Sequence, residues 1–134
     1  MLHHILFSII ATTAFMMMNP QDSSRDTITP EEVQHLMEKD STVFLLDVRT
    51  DEEYNSSTGH LRGSVLIPVQ ELAARLGELA PHKKNTIVAI CRSGNRSGWA
   101  TSMLRSQGYP AVNMVGGMIR WNNEGRPVEH SEHK

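Results

Sequence analysis

Residues 86–106 read TIVAICRSGNRSGWATSMLRS, and the order of residue types within them decides the fold. Thr86 to Ile90 is an apolar, β-type run that ends in Cys91, the only cysteine of the chain. A short polar loop from Cys91 to Arg96 follows, then a helical pattern from about Ser97 to Gln107 that Gly108 closes. A strand that delivers a nucleophile into a loop of arginine, glycine and serine, just ahead of a helix, is an anion-binding and thiolate-activating arrangement. On this reading Cys91 is a catalytic nucleophile and the rest of the domain holds its loop in place.

A thiol reacts as its thiolate, and an ordinary cysteine is mostly protonated at neutral pH. Three features lower that barrier here. Cys91 lies near the positive end of a helix dipole. Arg92 and Arg96 flank it. Gly94 and Gly98, with small serines between them, let successive backbone N–H groups turn inward around an anion. Together they lower the thiol below the ordinary cysteine range and favour the thiolate. A lone cysteine at a strand end is otherwise often a small core residue, but two arginines and a polar, glycine-containing loop make plain burial unattractive.

The 134 residues, 39% of them hydrophobic, suffice for one domain with a single core. A formal charge of -2 gives no global attraction to nucleic acid or an anionic membrane. One cysteine excludes an internal disulfide, and the lack of a CxxC pair excludes dithiol exchange within the chain.

Working outward, Thr29-Pro30-Glu31-Glu32 is a helix start, with a capping threonine, proline at the first position and acidic residues in the first turn. Val33, Leu36 and Met37 give that helix an apolar face to about Lys39. Thr42 to Val48 is a near-continuous apolar run suited to a strand buried on both faces of a parallel sheet; it ends in Asp47-Val48-Arg49, and a polar helical turn follows over 51–54. Val65 to Pro68 reads as a short strand. Glu71 to Leu79 reads as a helix, with Leu72, Leu76 and Leu79 on one side. Ala111 to Val115 is a further strand, Gly116-Gly117 a break, and Met118 to Asn123 a last short helix. Alternating strands and helices with short connections predict an α/β domain with a mainly parallel sheet, whose ligands bind beyond the carboxyl ends of the strands. Asp47, Arg49 and Cys91 are then expected on one rim.

Four segments, LLDVRTDEEY at 45–54, GHLRGSVLIP at 59–68, VAICRSGNRS at 88–97 and GGMIRW at 116–121, come in an order and spacing that resemble a single-domain rhodanese. The resemblance implies a three-layer fold, a twisted, five-stranded, mainly parallel sheet with helices on both faces. It also implies a sulfurtransferase in which Cys91 takes a sulfane sulfur from thiosulfate or a persulfide and passes it, as a persulfide, to a thiol, cyanide or another thiophilic acceptor. The loop residues Arg92, Ser93, Gly94, Asn95, Arg96 and Ser97 would hold the substrate sulfur and the anionic donor, and Asp47 and Arg49 would support the loop. No metal or organic cofactor is implied, because the sulfur is carried covalently; a sulfur-relay protein is a possible partner. Two alternatives stay open, a non-catalytic binding module of the same fold and a phosphatase or arsenate reductase relative. Against the second, phosphatase loops of this kind use Cys-x5-Arg, whereas here four residues separate Cys91 from Arg96. No acidic residue follows in the loop to protonate a leaving oxygen.

The remaining features have plainer readings. Asp47 and Arg49 either cap local termini or pair with Glu52 or Glu53. His60 resembles the structural Gly-His turn of the family, with a general-base role as the alternative. Trp99 and Trp121 pack in the core or line the rim. The histidines at both ends and the Met16–Met18 run lack the convergent partners a metal site needs. Residues 1–18 are read as a signal peptide or anchor, because Ile5 to Met18 is apolar but short of a full membrane span. Residues 19–27 are read as a linker, 28–127 as the rhodanese-like domain and 128–134 as a polar tail, with Glu124 to Lys134 expected to fray. The expected location is periplasmic or exported if the leader is a signal peptide, and cytoplasmic otherwise; a membrane is a partner only if the leader is retained.

Overall fold

The computed structural model describes residues 25–40 and 42–132. The leader, most of the linker, His3, His4, Met16–Met18 and His133 lie outside them.

Thr29 opens the first helix, α1 (Pro30–Lys39), as its sequence demands. Its hydroxyl accepts from Glu32 N–H at 3.2 Å while the Glu32 carboxylate receives the Thr29 N–H, a reciprocal cap. The device recurs at α2 (Asp51–Tyr54), where Thr50 and Glu53 cap each other. Five strands, β1 (Thr27–Ile28), β2 (Phe44–Asp47), β3 (Val65–Leu66), β4 (Ile87–Ile90) and β5 (Ala111–Met114), form one sheet in the order β1-β5-β4-β2-β3, parallel throughout. β1 is a departure from expectation. Two residues carry no legible period, yet Thr27, placed in the linker, pairs with Asn113, and Ile28 is fully buried.

The pleat sends alternate residues to opposite sides. Ile87, Ala89 and Cys91 join Leu46, Ala100 and Leu104 in one cluster. Val88, Ile90 and Leu45 join Val33, Met114 and Trp121 in the other. Both sides are thus covered, which is why the strands read as unbroken apolar runs. The first cluster is roofed by α3 (Val69–Leu72) and α4 (Asn95–Ser106), the second by α1 and α5 (Gly117–Asn123).

Three further expectations are corrected. The helix predicted over 71–79 is split: α3 ends at Leu72, and a 3₁₀ turn runs Leu76–His82 with Pro81 inside it. Leu76 and Leu79 are three apart, the repeat of a 3₁₀ turn, and Leu72 and Leu79 are buried all the same. α4 begins at Asn95 rather than Ser97, because Gly94 takes the left-handed conformation (φ 105) that starts the helix. The segment before residue 133 is also not frayed. Glu129 and His60 exchange backbone hydrogen bonds at 2.8 and 2.9 Å, Trp121 Nε1 donates to Pro127 O, and Arg126 donates to Gln34.

Candidate active site

Cys91 follows directly on β4, and its side chain points to the α4 side of the sheet. The loop turns back around the sulfur. Gly94 N–H donates to Sγ at 3.0 Å and the Ser97 hydroxyl lies 3.2 Å from it. Burial pushes the thiol up, but the Ser97 hydroxyl and the amides of Ser97, Gly94 and Ser93 outweigh it and hold Cys91 below the ordinary thiol range. The loop from Cys91 to Ser97 is therefore a ring of donors around one sulfur, at the start of a helix.

Three anchors hold that ring. The first is backbone: Met118 N–H and Ile119 N–H, at the start of α5, donate to Cys91 O and Arg92 O at 2.9 and 3.0 Å. This explains the Gly116-Gly117 pair. Gly117 has φ +56, and a Cβ there would stand 2.5 Å from both carbonyl oxygens, so only glycine allows the approach. The second is Asn113 of β5, whose Nδ2 donates to Gly94 O at 3.0 Å. The third is Arg96, which grips Glu53 through two bonds of 2.6 and 2.8 Å. The Arg96 guanidinium, with the Thr50 amide and against some burial, brings Glu53 down to about 2.

The predicted site residues fall into distinct roles. Cys91, Ser93, Gly94 and Ser97 meet at the sulfur. Asn95 is the exposed first residue of α4. Arg92 is exposed and has no side-chain partner among the described residues; it borders a groove of about 560 Å³ whose other walls include Glu52, Thr58, Ile119 and Asn122. Arg96, expected to receive an anionic donor, already neutralises Glu53. Asp47 and Arg49 do stand at the rim, but paired to each other at 2.8 Å rather than to Glu52 or Glu53. Arg49 uses all five N–H groups, on Asp47, Glu53 O, Thr58 Oγ1 and Gly59 O, so it braces the rim. His60 stacks on Tyr54 with ring centroids 4.0 Å apart, a structural role. Trp121 is buried, whereas Trp99 is 54% exposed on α4. The sequence reading missed Glu53 as the partner of Arg96, and Asn113. For Asn113 a signal existed, as a single amide inside the apolar strand AVNM.

Comparisons with known proteins show what the chain resembles. Residues 29–124 match the model of the rhodanese-like domain. The chain is 36% identical over 103 residues to the putative sulfur carrier protein YrkF of Bacillus subtilis strain 168, covering 76% of this chain but only 54% of YrkF. It is 35% identical over 106 residues to the putative sulfurtransferase YtwF of the same organism, covering 75% of this chain and 93% of YtwF. Among solved structures, the rhodanese-like domain protein of Staphylococcus aureus superposes with a TM-score of 0.67 at 31% identity, over 78% of this chain and 98% of that one. A family model matched over residues 29–124 and relatives at this identity and coverage show that the chain belongs to the rhodanese-like family.

Proposed function

We propose that the protein is a sulfurtransferase that carries sulfane sulfur on Cys91, with thiosulfate or a persulfide as donor. The observation that supports this best is the ring itself: amides converge on Sγ from Ser93, Gly94 and Ser97 and, with the Ser97 hydroxyl, outweigh burial in lowering the thiol. Attack of the Cys91 thiolate on the outer sulfur of thiosulfate forms the Cys91 S–S bond and breaks the S–S bond of the donor. Sulfite leaves with the electron pair, and the negative charge on the enzyme moves to the new terminal sulfur. An acceptor thiolate or cyanide then attacks that sulfur and returns Cys91 as thiolate. The amides around Sγ are the donors available to this anion, a form of electrostatic stabilisation that contributes strongly in such sites. Arg92, exposed and unpaired among the described residues, is a cation available to an anionic donor.

Incubating the full chain with thiosulfate is expected to add the mass of one sulfur atom, and Cys91→Ser to abolish the adduct. Absence of an adduct with thiosulfate, a persulfide and polysulfide alike would leave a non-catalytic binding module. Turnover of an aryl phosphate that is lost in Cys91→Ser would replace sulfur transfer with phosphoryl transfer. We also propose that residues 1–18 direct export; N-terminal sequencing of protein recovered outside the cytoplasm should then begin beyond Ala14.

A further inference from the structure

Asn113 is the one polar residue of β5, set between Val112 and Met114. Residues two apart on a strand share a face, so its side chain projects with Ala111 towards α4, where Gly98 makes room for it. A Cβ on Gly98 would stand 3.3 Å from Asn113 Nδ2. At its tip the amide makes two contacts with the loop, Nδ2 to Gly94 O at 3.0 Å and Oδ1 to Ser97 Oγ at 2.6 Å. A backbone carbonyl only accepts, so Gly94 decides which end of the amide is nitrogen. The other end, Oδ1, also only accepts, and the Ser97 hydroxyl must donate to it.

The same hydroxyl oxygen lies 3.2 Å from Cys91 Sγ, and Ser97 is fully buried, so no water competes. One hydroxyl has one proton and here faces two acceptors. With its hydrogen on Asn113, Oγ turns a lone pair to the sulfur, which suits the protonated thiol as donor. With its hydrogen on Cys91, it suits the thiolate. We propose that Asn113 is a positioning residue that competes with Cys91 for the Ser97 hydroxyl proton, holding it in the thiol form and yielding it when the sulfur becomes anionic. Ser97 gains and loses no proton; the thiol proton leaves to solvent and the hydroxyl rotates about its own bond. This ties the protonation of the nucleophile to β5 through two side chains.

The charged groups around Cys91 are elsewhere. Arg96 of α4 feels both Cys91 and Asp47, Glu53 of α2 lies behind Arg96, and Arg49 covers Asp47 at the end of β2. Arg92 is exposed, and α5 meets the loop through backbone N–H groups. None of these bonds to the Asn113 side chain, so altering it breaks none of their contacts.

The test is a titration of Cys91 in the full chain by its ultraviolet thiolate absorbance, with no sulfur donor present. Asn113→Ala frees the hydroxyl for the sulfur, and the midpoint is expected to fall by about one pH unit, the scale of one hydrogen bond to a charged group. In a Ser97→Ala background the same change should give no such fall, because only the clamp on Gly94 is then lost. A rise of the midpoint in Asn113→Ala, no change, or an equal shift in both backgrounds would overturn the proposal and leave Asn113 as a clamp on Gly94 alone. Asn113→Val, whose side chain suits a strand, is read identically where the alanine variant does not fold. The inference rests on Cys91 being the reactive thiol. Its failure is nevertheless separable, because persulfide formation by the wild type is measured independently of this titration.

Discussion

Arg49 and Arg96 each pair with a carboxylate on the rim beyond the strands, but the first pair is sealed and the second half open. Arg49 and Asp47 are 1% and 0% exposed; Arg96 and Glu53 are 34% and 28% exposed. A sealed pair is costly to break on one side only, since the remaining charge has no water to turn to. A half-open pair contributes little energy and is weakened by salt, yet it fixes geometry. The difference separates a brace, which stability measurements will find, from a guy-rope on the loop, which they will barely register.

The comparison breaks most directly at Asp47. Asp47→Ala strands the Arg49 guanidinium and should cost about 3–5 kcal/mol in denaturant unfolding; a loss under about 1 kcal/mol would mean the pair is not the brace described. Gly117→Ala should rank next. It forces a side chain into the left-handed region and against two carbonyl oxygens, at about 1–3 kcal/mol, and it should slow persulfide formation by displacing Cys91 O. If persulfide forms at the wild-type rate, α5 does not set the loop.

Glu53→Gln tests the open pair, with an expected stability loss of about 0.5–1 kcal/mol that shrinks in high salt. Its pH dependence has a definite sign. Arg96 draws the Glu53 carboxyl down from 4.5 to about 2, so its stabilisation is present above pH 4.5 and is lost as pH falls towards 2. Wild type should therefore lose ground to Glu53→Gln across that interval, read as unfolding midpoints against pH; parallel curves would remove Glu53 from the account. Arg92→Ala should be smallest in stability, within about 0.5 kcal/mol, while making reaction with thiosulfate slower and less dependent on salt.

What the sequence could and could not announce follows from range. The caps at Thr29 and Thr50, the buried strands and the approach of Cys91 to a helix are encoded within a few residues, so local pattern suffices. The Arg96–Glu53 pair spans 43 positions and the Asn113–Ser97 contact 16, and no local period marks either. The broken helix at Leu76 misled because one leucine spacing serves α and 3₁₀ turns nearly alike. Thr27 and Ile28 were hidden because β1 is too short to show alternation.

The clasp between His60 and Glu129 has a practical reach. Gly59, beside it, has φ +65, and a Cβ there would stand 2.8 Å from Glu129 O and Val128; its own carbonyl takes the Arg49 guanidinium. A protease cut after Gly125, or an affinity tag fused so as to pull residues 126–132 away, would thus loosen the turn that presents the Gly59 carbonyl, one of the contacts that hold the Arg49 guanidinium.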